Sequence, residues 1–148
     1  MMDIYLNEVE AKRLLEMPKI KENDNVYSIS QSGGKSIIPL LSIDKRERFY
    51  LDLSINRIDI KKGKYQNRAR QVFVLARVDF NGSPHRNPDG TIVNCPHLHI
   101  YTEKYADKYA IELPQKYFAN TEDLFQLLDE FMKYCNIINP PIIQRSLF

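Results

Sequence analysis

Residues 71–113 read QVFVLARVDF NGSPHRNPDG TIVNCPHLHI YTEKYADKYA IEL. Val72, Phe73, Val74 and Leu75 are apolar at consecutive positions, as in a central strand buried on both faces. The run ends differently, on Arg77 and Asp79, which share the parity of Phe73 and Leu75. Asn81-Gly82 and Asn87-Pro88-Asp89-Gly90 give two turn signals inside one connection that also carries His85. Leu98 and Ile100 then alternate with His97, His99 and Tyr101, one apolar strand face against one polar face. A short connection around 105–107 leads to Tyr109, Ile111 and Leu113, and Pro114 ends the run. The stretch predicts successive antiparallel strands and contains all three histidines of the chain.

Outward from this stretch, Phe49, Leu51, Leu53 and Ile55 alternate with polar partners, the period of a half-buried strand. The alternation shifts near Asn56-Arg57, where Ile58 and Ile60 become the apolar members, so a bulge or a new strand is expected there. Gly63 marks a turn over 61–64. Residues 27–31 and 36–43, joined at Gly33-Gly34, read as a hairpin. Asn7 followed by Glu10 has capping-box character, and Ala11, Leu14 and Leu15 give a short helix closed by Pro18. Near the other end Leu124, Leu127, Leu128, Phe131 and Cys135 recur at helical spacing, with Asn120 or Thr121 as cap and Pro140-Pro141 as stop. The fold class predicted is α+β, an antiparallel, strongly bent sheet of about five to seven strands flanked by an N-terminal and a C-terminal helix.

With 148 residues, 43% hydrophobic and 27% charged, the chain is one domain that buries a core without staples. No apolar run approaches the roughly 20 residues that span a bilayer. The acids near the N-terminus do not fit a secretory signal, and Cys95 and Cys135 show no CxxC spacing, so a cytoplasmic protein with reduced thiols is expected. The net charge is only +2, but Arg57, Lys61, Lys62, Lys64, Arg68 and Arg70 stand against the single acid Asp59. Such a block attracts phosphates or an acidic partner; its plainer reading is a solvated hairpin tip.

If strands 71–80 and 97–103 pair with Asp79 opposite His97, then Arg77 falls opposite His99. Pairing Glu103 with Lys108 in the next hairpin would set His99 opposite Glu112. Arg77, Asp79, His97, His99 and Tyr101 then share one sheet face, with His85 on the adjoining loop. Three readings of that face stay open. Neutral imidazoles suit zinc, iron or nickel, with Asp79, His85 or Glu103 as third ligand. His97-x-His99-x3-Glu103 resembles the first half of the cupin metal motif, although no second half follows. Metal-free acid–base work on RNA would use a histidine as base and Arg77 as the charge stabiliser. In the structural reading the histidines are hydrogen-bonded packing residues beside a cross-strand Arg77–Asp79 pair. Phosphate-loop, dinucleotide and nucleophile-elbow motifs are absent.

His85-x-Asn87-Pro88-Asp89-Gly90, followed by Cys95-Pro96-His97-Leu98-His99-Ile100-Tyr101, resembles a domain-of-unknown-function family of small bacterial, phage and mobile-element proteins. The likeness extends over Lys108-Tyr109-Ala110 and Tyr134-Cys135-Asn136. It carries no activity with it, but it implies that His85, His97, His99 and Tyr101 act as a unit, in a setting of host–phage conflict.

The expected function is accordingly nucleic-acid binding or a small toxin-type RNase, without a cofactor. His97 or His99 would be the base, Arg77 the charge stabiliser and Asp79 the orienter, with His85 and Tyr101 beside them. The residues from Arg57 to Arg70 would face phosphates. The alternative is a non-catalytic partner-binding protein, for instance an inhibitor that occupies a host nuclease through its charged surface.

Overall fold

The computed structural model describes residues 5–58 and 62–147. Helix α1 (Glu8–Glu16) starts as expected: the Asn7 side chain accepts from the Glu10 amide at 2.8 Å. Strands β1 (Lys19–Lys21), β2 (Val26–Ser30), β3 (Gly34–Ser42), β4 (Arg48–Ile55), β5 (Gly63–Ala69) and β6 (Phe73–Phe80) follow. Next come β7 (His85–Arg86), β8 (Ile92–Val93), β9 (His97–Ile100), β10 (Ala110–Glu112), helix α2 (Leu124–Tyr134), β11 (Ile137–Asn139) and β12 (Ile142–Ser146). The cap of α2 is Asp123, which accepts from the amides of Phe125 and Gln126, in place of the expected Asn120 or Thr121.

The fold is α+β, but the sheet differs from the expected one. It has eight strands in the order β10-β9-β6-β5-β4-β3-β1-β11, it is mixed because β1 and β11 run parallel, and it is not strongly curled. β2 and β3 do not form one ladder. The chain turns through Gly33 and Gly34 at φ 109 and 136, and β2 leaves to pair in parallel with β12, the segment that follows Pro140-Pro141. β7 and β8 form a separate small hairpin.

One face of the large sheet carries the core. Ile38, Leu40, Phe49, Leu51, Leu53, Tyr65, Val78, Phe80 and Leu98 are buried there in one cluster with Leu14 of α1 and Leu127, Leu128 and Phe131 of α2. β4 keeps the alternation its sequence predicts. β6 does not. Asn67 pairs with Ala76 and Arg68 with Val74, so Leu75 is an extra residue, and Leu75 and Ala76 are both buried. This bulge reverses the parity of the strand. Arg77 and Asp79, which by simple alternation would share the core side of Phe73 and Leu75, stand instead on the opposite, open face. The shift expected near Asn56-Arg57 takes another form: β4 ends at Ile55, Ile58 is 99% exposed, and Ile60 lies outside the described residues.

The register then sets cross-strand rows on the open face. Lys35, Ser54, Lys64, Asp79, His97 and Glu112 form one row from β3 to β10. Ile37, Asp52, Gln66, Arg77, His99 and Ala110 form the next. Asp79 opposite His97 and Arg77 opposite His99 match the register expected from sequence. Glu112 stands opposite His97, however, because the turn after β9 closes early, with Thr102 paired to Ala106.

Candidate functional site

At the β6–β9–β10 end the open face is covered, which explains two buried histidines on it. The 81–96 segment folds back as the β7–β8 hairpin, tied down by Asn87. That side chain is 3% exposed; it donates to the Ala110 carbonyl at 2.9 Å and accepts from the Ala110 amide at 2.7 Å. The hairpin brings His85 over the sheet. The three imidazole centres lie 4.7 Å (His85–His99), 5.0 Å (His97–His99) and 5.7 Å (His85–His97) apart.

Each ring is oriented by a main-chain carbonyl. His99 Nδ1 donates to Asp107 O at 2.9 Å, His97 Nδ1 to Asn94 O at 3.3 Å, and His85 Nε2 to Lys108 O at 2.8 Å. A carbonyl can only accept, so these nitrogens carry the protons, and a neutral His97 or His99 presents its Nε2 lone pair inward. Both Nε2 atoms lie 3.4 Å from Asp79 Oδ2. Arg77 completes the group: Nε donates to Asp79 Oδ1 at 2.8 Å, and Nη2 lies 3.2 Å from Oδ2 and 3.0 Å from His99 Nε2. Its Nη1 reaches Asp107 Oδ2 at 3.4 Å. Burial pushes the Asp79 carboxyl up, but its close neighbours His97 and His99 and the hydrogen bonds and charge of Arg77 together outweigh it and hold the group far below the usual carboxylate range.

His97 and His99 are 3% and 1% exposed and lie against Asp79, whose side chain is 26% exposed. His85 is the half-buried ring at the surface of the group. A cleft of about 980 Å³ opens over it, lined by Asp79, His85, His97 and Cys95 at its inner end. The Cys95 thiol donates to the Asp79 carbonyl at 3.3 Å and accepts from the Gly82 amide at 3.2 Å, and burial pushes its pKa up.

The basic residues divide. Arg57, Lys62 and Lys64 line the cleft together with Lys35, and among the described residues none of the four is in an ion pair. Arg68 lies over the Tyr50 ring and pairs with Asp52 at 2.5 Å, and Arg70 pairs with Glu47 and Glu10. Lys61 lies outside the described residues. Two other expected members stand elsewhere. Tyr101 Oη donates to Leu6 O at 2.6 Å and accepts from Leu6 N at 3.1 Å, anchoring the segment before α1. Glu103 is exposed at that same end, where its amide donates to Glu8, so the set His97, His99, Glu103 is not assembled. Lys35, Ser54 and Asp107 escaped sequence reasoning; only register across several strands brings Lys35 and Ser54 into line with His97.

A family model described as a family of unknown function (DUF6978) matches residues 6–137. The chain belongs to that family. The match takes in the whole cleft lining and every member of the histidine cluster. Neither comparison with curated proteins nor comparison with solved structures gave a match. Among the described residues no helix is long and apolar enough to cross a membrane.

Proposed function

We propose that this protein binds single-stranded nucleic acid, RNA in the first instance, along the cleft, and that it is an RNase-like hydrolase acting on the phosphodiester brought to the cleft's inner end. The observation that carries this reading is the sequence of charges along the cleft. Lys35, Arg57, Lys62 and Lys64 line it without carboxylate partners among the described residues, and it ends at Asp79, His85 and His97. Unpaired cations in a concave wall attract a polyanion, and phosphate contacts supply most of the affinity for an unspecific strand. At the inner end His85, its Nε2 proton engaged by the Lys108 carbonyl, has Nδ1 left to take a proton from a hydroxyl or a water. Asp79 and Arg77 are fixed beside it by the buried histidines. A phage or mobile-element setting would suit a toxin of this type.

The test is binding and cleavage of a labelled single-stranded RNA by the purified chain at low salt. Saturable binding that Lys62→Glu and Lys64→Glu abolish, with cleavage lost in His85→Ala while binding persists, is the expected result. Charge-dependent capture of a nuclease, with RNA neither bound nor cut and His85→Ala without effect, would establish the partner-binding alternative in its place.

A further inference from the structure

Two imidazole nitrogens and a carboxylate oxygen face one another at the β6–β9 step, all within 4.8 Å. With Nδ1 of His97 committed to the Asn94 carbonyl, the neutral form of the ring sets its Nε2 lone pair against Asp79 Oδ2 at 3.4 Å, an arrangement that a cation between them relieves. Histidines that ligate metals usually donate their other ring nitrogen to a carbonyl or carboxylate, as both rings do here through Asn94 O and Asp107 O. The spacing fits as well. Imidazoles sharing a tetrahedral ion at about 2.1 Å from each nitrogen place their ring centres roughly 5 Å apart. Those of His97 and His99 lie 5.0 Å apart.

We propose that Asp79, His97 and His99 bind a divalent first-row transition ion of the zinc class, through one carboxylate oxygen and two Nε2 atoms. Two nitrogen donors select such an ion over magnesium or calcium, which prefer all-oxygen shells. Three protein ligands leave a fourth position for water or for a phosphate oxygen, the arrangement of catalytic rather than structural sites. His85 stands beside that position, with its ring centre 4.7 Å from that of His99. Arg77 is the competitor. Its Nη2 lies 3.0 Å from His99 Nε2, so the guanidinium withdraws from that nitrogen as the ion binds. The site does not depend on the nucleic-acid reading, since it is built from groups beneath the cleft.

The test uses the full, untagged chain, stripped with a chelator and dialysed, then titrated with Zn²⁺ against a chromophoric competitor, with no nucleic acid present. One equivalent per chain is expected, with Mg²⁺ unable to compete and with bound Co²⁺ giving the absorption of a tetrahedral centre. His97→Ala and His99→Ala should each weaken binding at least tenfold. Because either variant can also disturb the fold, Arg77→Gln gives an independent sign: removing the competing cation should tighten Zn²⁺ binding several-fold, whereas a general loss of structure weakens it. Zn²⁺ bound no more tightly by the native chain than by His97→Ala, or weakened by Arg77→Gln, would overturn the proposal and leave the cleft's affinity for RNA untouched as a question. Loss of RNA binding would likewise leave the metal result standing.

Discussion

Lys64 of β5 stands opposite Asp79 of β6, yet no ion pair joins them. Asp79 pairs with Arg77 instead, and its Oδ2 lies against His97 and His99. Among the described residues Lys64 thereby has no ion-pair partner at the wall of the cleft, one strand away from a carboxylate whose charge is already matched on its other side. The same separation runs through the whole basic segment. Arg68 and Arg70 are spent on Asp52, Glu47 and Glu10, whereas Lys62 and Lys64 are available to a ligand.

That division predicts a difference in salt dependence. For a single strand, each phosphate neutralised contributes about 0.7 to the slope of log K against log salt. Lys62→Gln with Lys64→Gln should lower the slope for RNA binding by roughly 1.4 on that basis. Arg68→Gln and Arg70→Gln should leave it unchanged. Fluorescence anisotropy over a salt series reads both.

Asn87 closes the hairpin over the histidines. Asn87→Ala strands the amide and carbonyl of Ala110, both buried, and should cost about 2–3 kcal/mol in urea unfolding. The same substitution frees the hairpin that carries His85, so RNA cleavage should fall further than RNA binding.

Tyr101 points the other way. Its hydroxyl holds Leu6 at both main-chain atoms, so Tyr101→Phe should cost about 1–2 kcal/mol of stability and leave RNA and metal binding as they are. A catalytic loss in a variant of native stability would place Tyr101 back in the site.

Lys19 is fully buried, and its ammonium donates to the carbonyls of Leu15, Met17 and Cys135 at 2.8, 3.0 and 2.8 Å, tying the end of α1 to the end of α2. Lys19→Met leaves three carbonyls without that donor and should destabilise the fold by about 2–4 kcal/mol at neutral pH. Burial pushes the ammonium down to about 8. Between that value and the unfolded value of about 10.4, the unfolded chain holds the extra proton, so the native chain gains stability as pH rises through the window. Lys19→Met lacks this gain, and unfolding curves of both proteins across the window measure it.

Much of the local architecture was legible from the chain alone. The Asn7 cap, the stripe of α2 and the alternation in β4 are short-range patterns, and each formed the element it encodes. The pairing of Asp79 with His97 and of Arg77 with His99 was legible too, because a ladder fixes partners once one pair is aligned. Glu112 was misplaced because the Thr102–Ala106 turn is tighter than the residues around it suggest. β5 went unread as a strand, since its apolar positions are Tyr65 and Ala69 around a buried Asn67.

The sequence by itself determined the helices, the polar strand that holds two histidines on one side, and which residues meet across β6 and β9. Tertiary structure decided what those residues became. The extra residue at Leu75 turned Arg77 and Asp79 away from the core, and the Asn87-anchored hairpin sealed His97 and His99 beneath Asp79 while leaving His85 at the surface. Periodicity reports which side of a strand a residue takes, because that depends on its own neighbours. A ladder irregularity and the cover over a sheet depend on segments far along the chain, and no local pattern records them.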